Sequence, residues 1–173
     1  MDSYQRRDTL VFSGDVIPAE TDNEDTSEII VSLVNKYLSL KISSNDINIS
    51  HRLGSTTSKK RPIIVKFFSR VLKNNIQSSC IKQLTDKALK DLYVNEHLTT
   101  KRKSLFMFLR QIRKSEPDIF KQLYTKDGII IVKLKESDKY KITCEKQLHD
   151  LLKEFPYLQE IHKKLEVSRV PRT

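Results

Sequence analysis

Residues 59–68, KKRPIIVKFF, place three cations and a proline ahead of an apolar run that is broken once, by Lys66. A short run rich in β-branched residues behind Pro62 predicts a strand. Alternation sends Ile63, Val65 and Phe67 to one face, the core, and Pro62, Ile64 and Lys66 to the other. That second face is either plainly solvated or presents charge to a polyanion.

The flanking sequence supplies neighbours for this strand. TLVFSG (Thr9–Gly14) predicts a strand with Leu10 and Phe12 on one face and Val11 on the other. The acidic PAETDNEDTSE (18–28) reads as a loop, and Thr26 or Ser27 caps a helix whose apolar positions Ile29, Ile30, Leu33, Val34, Tyr37 and Leu38 recur at helical spacing. INISHRL (47–53) alternates as another strand, and GSTTSKK (54–60) is a flexible loop leading into the opening stretch. A second helix is predicted from Ser69 to about Leu84, and LYVNEHL (92–98) is the fourth strand. The order strand, helix, strand, strand, helix, strand is that of the ferredoxin-like sandwich, the architecture of an RNA-recognition motif. In such a motif, aromatics on the outer face of the first and third strands stack bases. Here those strands offer Val11, Ile64 and Lys66 instead, so this sheet is not expected to stack bases on its central strands.

The remainder reads as a separate unit. Thr99 or Thr100 caps a helix containing Leu105, Phe106, Phe108, Leu109 and Ile112 that ends before Pro117. QLYTKDGIIIVKL (122–134) is two apolar segments around Asp127-Gly128, a tight-turn signal, and KYKIT (139–143) extends the sheet. EKQLHDLLKEF (145–155) is a helix broken at Pro156, with a further helical turn or two after it. The expected organisation is therefore α+β: a polar arm (1–8), a domain resembling an RNA-recognition motif (9–98), a small helix, hairpin and helix domain (99–156) and a helical, basic tail (157–173).

The 173 residues are 38% hydrophobic, enough for one ordinary domain or two small lobes. No apolar run approaches the roughly 20 residues of a membrane span, and MDSYQRRDTL is too polar for a secretory leader. The expected location is intracellular. Cys80 and Cys144 and the four scattered histidines show no metal-ligand spacing, so no metal or other cofactor is expected and both cysteines read as small apolar fillers. With three glycines, no phosphate-cradling loop or nucleophile elbow is assembled, and Glu96 and His97, adjacent on a strand, point to opposite faces. A non-enzymatic role follows.

Net charge is +10, unevenly spread: residues 1–58 carry five Lys/Arg against nine Asp/Glu, and residues 59–173 carry 27 against 13. A polyanion-binding surface belongs to the later two thirds. Lys101, Arg102 and Lys103 fall in the first turn of a helix, where the macrodipole disfavours cations, and together with the helix N-terminus they form a candidate phosphate corner; the alternative is a solvated cap. Arg110, Arg113 and Lys114 continue the charge along the helix. Tyr124 beside Lys126 at the hairpin tip suits a base stacked next to a phosphate, or else a ring covering a core edge. Lys133, Lys135, Lys139 and Lys141 add a basic sheet surface.

The succession RRDTLVFSG (6–14), HRLG (51–54), KKRPIIVKF (59–67), LYVNEHLTTKRKSLF (92–106), LYTKDGIIIVK (123–133) and EKQLHDLLKEF (145–155) resembles the RNA-binding protein of the first open reading frame of LINE-type retrotransposons. It is also similar to the baculovirus few-polyhedra protein around YVNEHLT and the hairpin. The first resemblance implies two lobes that clasp single-stranded nucleic acid with little sequence preference, act as a nucleic-acid chaperone and package a transcript into a ribonucleoprotein, cytoplasmic or nuclear. It points to Arg61 and Lys66, to Lys101, Arg102 and Lys103, and to Tyr124 with Lys126; Arg110 and Lys133 join them from the charge pattern. The implied partner is single-stranded RNA, with DNA as the alternative, and no membrane or small-molecule substrate. The second resemblance implies a viral regulatory or structural protein that acts through a protein partner. The retrotransposon proteins carry a coiled coil ahead of RRDTLVFSG and trimerise through it; only MDSYQ precedes that segment here, so either the sequence is a fragment or the oligomerisation arm is lost, and this chain is expected to be a monomer, with a trimer only if the full-length protein carries a coiled coil.

Overall fold

The computed structural model describes residues 3–55, 60–83 and 91–169. Lys59, at the head of the opening stretch, and Leu84, the expected end of the second helix, lie outside the described residues. The chain is α+β, with two antiparallel sheets and five α-helices among the described residues, and it divides into one unit that ends at His97 and another that begins at Leu98.

In the first unit, β1 (Thr9–Ser13), α1 (Thr26–Tyr37), β2 (Ile47–Arg52), β3 (Ile63–Phe67), α2 (Arg70–Gln83) and β4 (Tyr93–Glu96) follow in the expected order. The sheet runs β2-β3-β1-β4, every neighbour antiparallel, with β3 and β1 central. Leu10 and Phe12 of β1 and Ile63, Val65 and Phe67 of β3 pack with Ile30 and Val34 of α1 and Ile76 and Cys80 of α2 in one core. Burying such side chains contributes on the order of 1.5–3 kcal/mol each. Ile64 lies on the opposite face, as the alternation requires, yet it too is buried, between Val11 and His51 in register.

Two local expectations are corrected. The N-cap of α1 is Asp25, not Thr26 or Ser27: its carboxylate accepts from the backbone N–H groups of Ser27 and Glu28. An aspartate there satisfies orphan donors and also complements the positive end of the helix. Thr26 and Ser27 turn their hydroxyls to Ser50 of β2 instead. Gly14 ends β1 at φ +116°, where an added Cβ would lie 2.0 Å from the Asp91 carbonyl oxygen. Only glycine allows that approach.

In the second unit, α3 (Thr100–Ser115), β5 (Phe120–Lys126), β6 (Ile129–Leu134), β7 (Lys139–Ile142), α4 (Glu145–Glu154) and α5 (Pro156–Arg169) form a three-stranded sheet, ordered β5-β6-β7, with helices on one face. Thr99 is the N-cap of α3, accepting from the Arg102 backbone N–H. Asp127 and Gly128 both take positive φ, 52° and 76°, the two-residue turn that matches strand twist. Leu105, Leu109 and Ile112 of α3 pack with Leu123, Ile130, Val132 and Leu134 and with Leu148 and Leu151 of α4. The segment after Pro156 is a full helix and contributes Leu158, wholly buried, to this core. Cys144, expected as an apolar filler, is exposed at the N-cap of α4, whereas Cys80 is buried and its thiol is held above its usual range by desolvation. Among the described residues no helix is long and apolar enough to cross a membrane.

Candidate nucleic-acid interface

Strand pairing decides which side chains share a face. Leu123 opposes Val132 and Thr125 opposes Ile130, all turned to the helices, so the other face of the second sheet carries Gln122, Tyr124 and Lys126 from β5. Opposite them on β6 lie Lys133, Ile131 and Ile129. From β7, Lys141 lies across from Ile131 and Lys139 across from Lys133. A half-buried tyrosine thus sits in a field of four lysines, of which Lys126, Lys139 and Lys141 are exposed and Lys133 half-buried. No carboxylate of the described residues is paired with any of the four. Ile131, 6% exposed, is covered although it points away from the helices. Long lysine stems lie along apolar surface in this way while their ammonium groups remain in water.

Placing Lys133 directly opposite Lys139 is unfavourable in isolation, because like charges at facing positions of an antiparallel pair repel. An anion laid across the strands turns that cost into attraction. Lys135, grouped with these lysines in the sequence, lies past the end of β6, where its backbone N–H donates to the Ile119 carbonyl.

The remaining expected positions divide by what already holds them. Lys101 and Lys103 are exposed on the first turn of α3. Arg102 is not a free cation: Nη1 donates to the Gly128 carbonyl at 2.7 Å and Nε to the Thr143 carbonyl at 3.4 Å. It fastens the hairpin turn to the helix, which explains a cation at the positive end of α3. An added Cβ at residue 128 would sit 2.9 Å from that same guanidinium. Arg110 lies 5.8 Å over the Phe106 ring, and Arg113 donates to the Leu123 carbonyl.

Arg61 and Lys66 belong to the first unit. Arg61 donates from Nε and Nη2 to both oxygens of Glu20 and from Nη1 to the Gly54 carbonyl. The guanidinium holds the Glu20 carboxyl below its ordinary value, and the carboxylate raises Arg61 further. Arg52 grips Glu24 in the same two-pronged way and lowers it likewise. These pairs tie the acidic loop to β2 and the segment ahead of β3. Lys66 is half-buried on the outer sheet face beside Val11 and Ile64, with no ion pair among the described residues.

That outer face also carries residues the sequence reading passed over. Tyr93, 47% exposed, pairs with Ser13, and His51 and Ile49 stand on β2. The alternation of LYVNEHL about Val94 places Tyr93 outward, and that signal was available. No protein-family model matches this chain, and no curated protein matches it.

Proposed function

We propose that this chain binds single-stranded nucleic acid, RNA foremost, with little sequence preference, as the chaperone and ribonucleoprotein component of a LINE-type retrotransposon. The observation that carries the reading is the open face of the second sheet, where Lys126, Lys133, Lys139 and Lys141 surround Tyr124 without a paired carboxylate among the described residues. The strand order β2-β3-β1-β4 supports a ferredoxin-like, RNA-recognition-motif arrangement for the first unit. The role is binding rather than catalysis.

The chemistry follows from the residue types. Ammonium groups on flexible stems act as point charges and carry no rigid fork to read a base edge, so they favour phosphate over sequence. A tyrosine face accepts any base, because every base has a π-face. Neutralising phosphates lowers repulsion between strands, and contacts that are individually weak let strands exchange partners, which is what a chaperone requires.

A filter-binding titration of oligouridylate across a salt series tests this. Binding is expected to weaken steeply with salt, and replacing Lys133, Lys139 and Lys141 together by Ala is expected to lower the slope by roughly two, at about 0.7 per lost contact. Affinity near 0.1 M salt should then fall about a hundredfold. A parent protein that does not bind at low salt, or a triple variant that binds like the parent, overturns the reading.

A further inference from the structure

We propose that a groove beside α3 is a docking site for an acidic peptide segment of another protein that carries a bulky apolar side chain. This goes beyond nucleic-acid binding and uses a different part of the second unit.

The groove encloses about 580 Å³, within the size range of ligand sites (about 300–1,000 Å³). Two helical rows of α3 form one wall, Phe106, Arg110 and Arg113 and, beside them, Met107, Gln111 and Lys114, each row spaced i, i+4, i+7. Pro117 and Leu123 complete it. Among the described residues three cations line the groove and no carboxylate does. Met107, on the face of α3 away from the buried Leu105 and Leu109, is 40% exposed.

The lining distinguishes a peptide from a nucleobase. A base edge carries donors as well as acceptors, and among the described side chains lining the groove Gln111 alone offers an amide acceptor, the three cations only donating. Stacking needs a free ring face, and the Phe106 ring is approached by Arg110 at 5.8 Å. Methionine, proline and leucine instead suit an irregular aliphatic or aromatic side chain, with methionine adapting to its shape. Flanking carboxylates would meet Arg110 and Lys114. The chain's own acidic segment is not the occupant, since Glu20 and Glu24 are held by Arg61 and Arg52.

The test uses the full chain and a fluorescein-labelled decapeptide of Asp and Glu with one Leu and one Phe, read by anisotropy, beside the same peptide with both apolar residues changed to Ser. The apolar peptide is expected to bind at least tenfold more tightly than its Ser counterpart. Met107→Glu, at an exposed site and checked for folding by circular dichroism, should remove that preference and leave oligouridylate affinity within twofold, whereas Lys114→Glu, checked in the same way, should weaken both peptides alike. Equal binding of the two peptides, or none, overturns the proposal. So does a loss of oligouridylate affinity in Met107→Glu, which assigns the groove to nucleic acid, or self-association abolished by that change, which assigns it to a second copy. Failure of the lysine-face reading would appear separately, as oligouridylate binding that the Lys133, Lys139 and Lys141 changes do not alter.

Discussion

In the unit that ends at His97, Arg52, Arg61 and Lys73 each meet a carboxylate, whereas in the unit that begins at Leu98, Lys126, Lys133, Lys139 and Lys141 meet none among the described residues. The contrast is deepest at Lys73, which is wholly buried with Glu96 and also donates to Gln77. In one unit cations hold elements together: α2 to β4, and the acidic loop to the strands. In the other, Arg102 and Arg113 hold backbone carbonyls, and the four lysines of the sheet face stand without a paired carboxylate among the described residues. Net charge alone does not separate these uses, because a lysine counts equally whether it is consumed by the fold or offered to a ligand.

If that division is correct, Lys73→Met should have the largest effect on folding. It takes the Lys73 ammonium away from the buried Glu96 carboxylate, and breaking a buried ion pair from one side costs about 3–5 kcal/mol. Denaturant unfolding should show this, with much of the loss recovered when Glu96→Leu is added; a single variant within 1 kcal/mol of the parent would mean that the pair is not structural. Next comes Arg102→Ala, which removes two charge-assisted bonds to backbone carbonyls and should destabilise the second unit by about 1.5–3 kcal/mol. An unchanged unfolding midpoint, with oligonucleotide affinity lost instead, would make Arg102 a ligand contact.

On the binding side, Tyr124→Ala should weaken oligouridylate by about 1–3 kcal/mol with the salt slope nearly constant, while Tyr93→Ala, on an edge strand with few cations, should stay within about 0.5 kcal/mol. Equal losses would extend the interface to the first sheet. The smallest effect concerns pH. Glu20 and Glu24 titrate below the ordinary value of 4.5 in the folded chain, so their stabilising contribution is present above it and is lost as pH falls through the lowered values. Thermal melts of Glu20→Gln/Glu24→Gln should therefore differ from the parent near neutral pH and converge with it in acid.

Alternation and helical spacing made the elements legible, and the Asp127-Gly128 turn made the lysine face legible as well. A two-residue turn fixes register, and register fixes which of Tyr124, Lys126, Lys133, Lys139 and Lys141 share a side. What stayed hidden depends on distance along the chain. Arg61 reaches back 41 residues to Glu20, and Arg102 forward 26 to Gly128, and no local pattern marks either. Lys73, in RVLKNNIQ, reads as a solvated helix position; its burial is set by Glu96, which arrives 23 residues later. The cap of α1 was missed by one residue because Asp25, Thr26 and Ser27 are all good capping types.

The three-stranded sheet has β5 and β7 as its edge strands. On β5 the Arg113 guanidinium occupies the Leu123 carbonyl, and on β7 Lys139 and Lys141 supply the charge that keeps strand edges from zipping onto one another. The same ammonium groups proposed to hold nucleic acid are therefore the molecule's colloidal guard. A polyanion that neutralises them unlocks the β7 flank, so turbidity is expected to peak where nucleic-acid and protein charges balance and to clear when either is in excess. A mixture that stays clear through that balance would place the guard elsewhere.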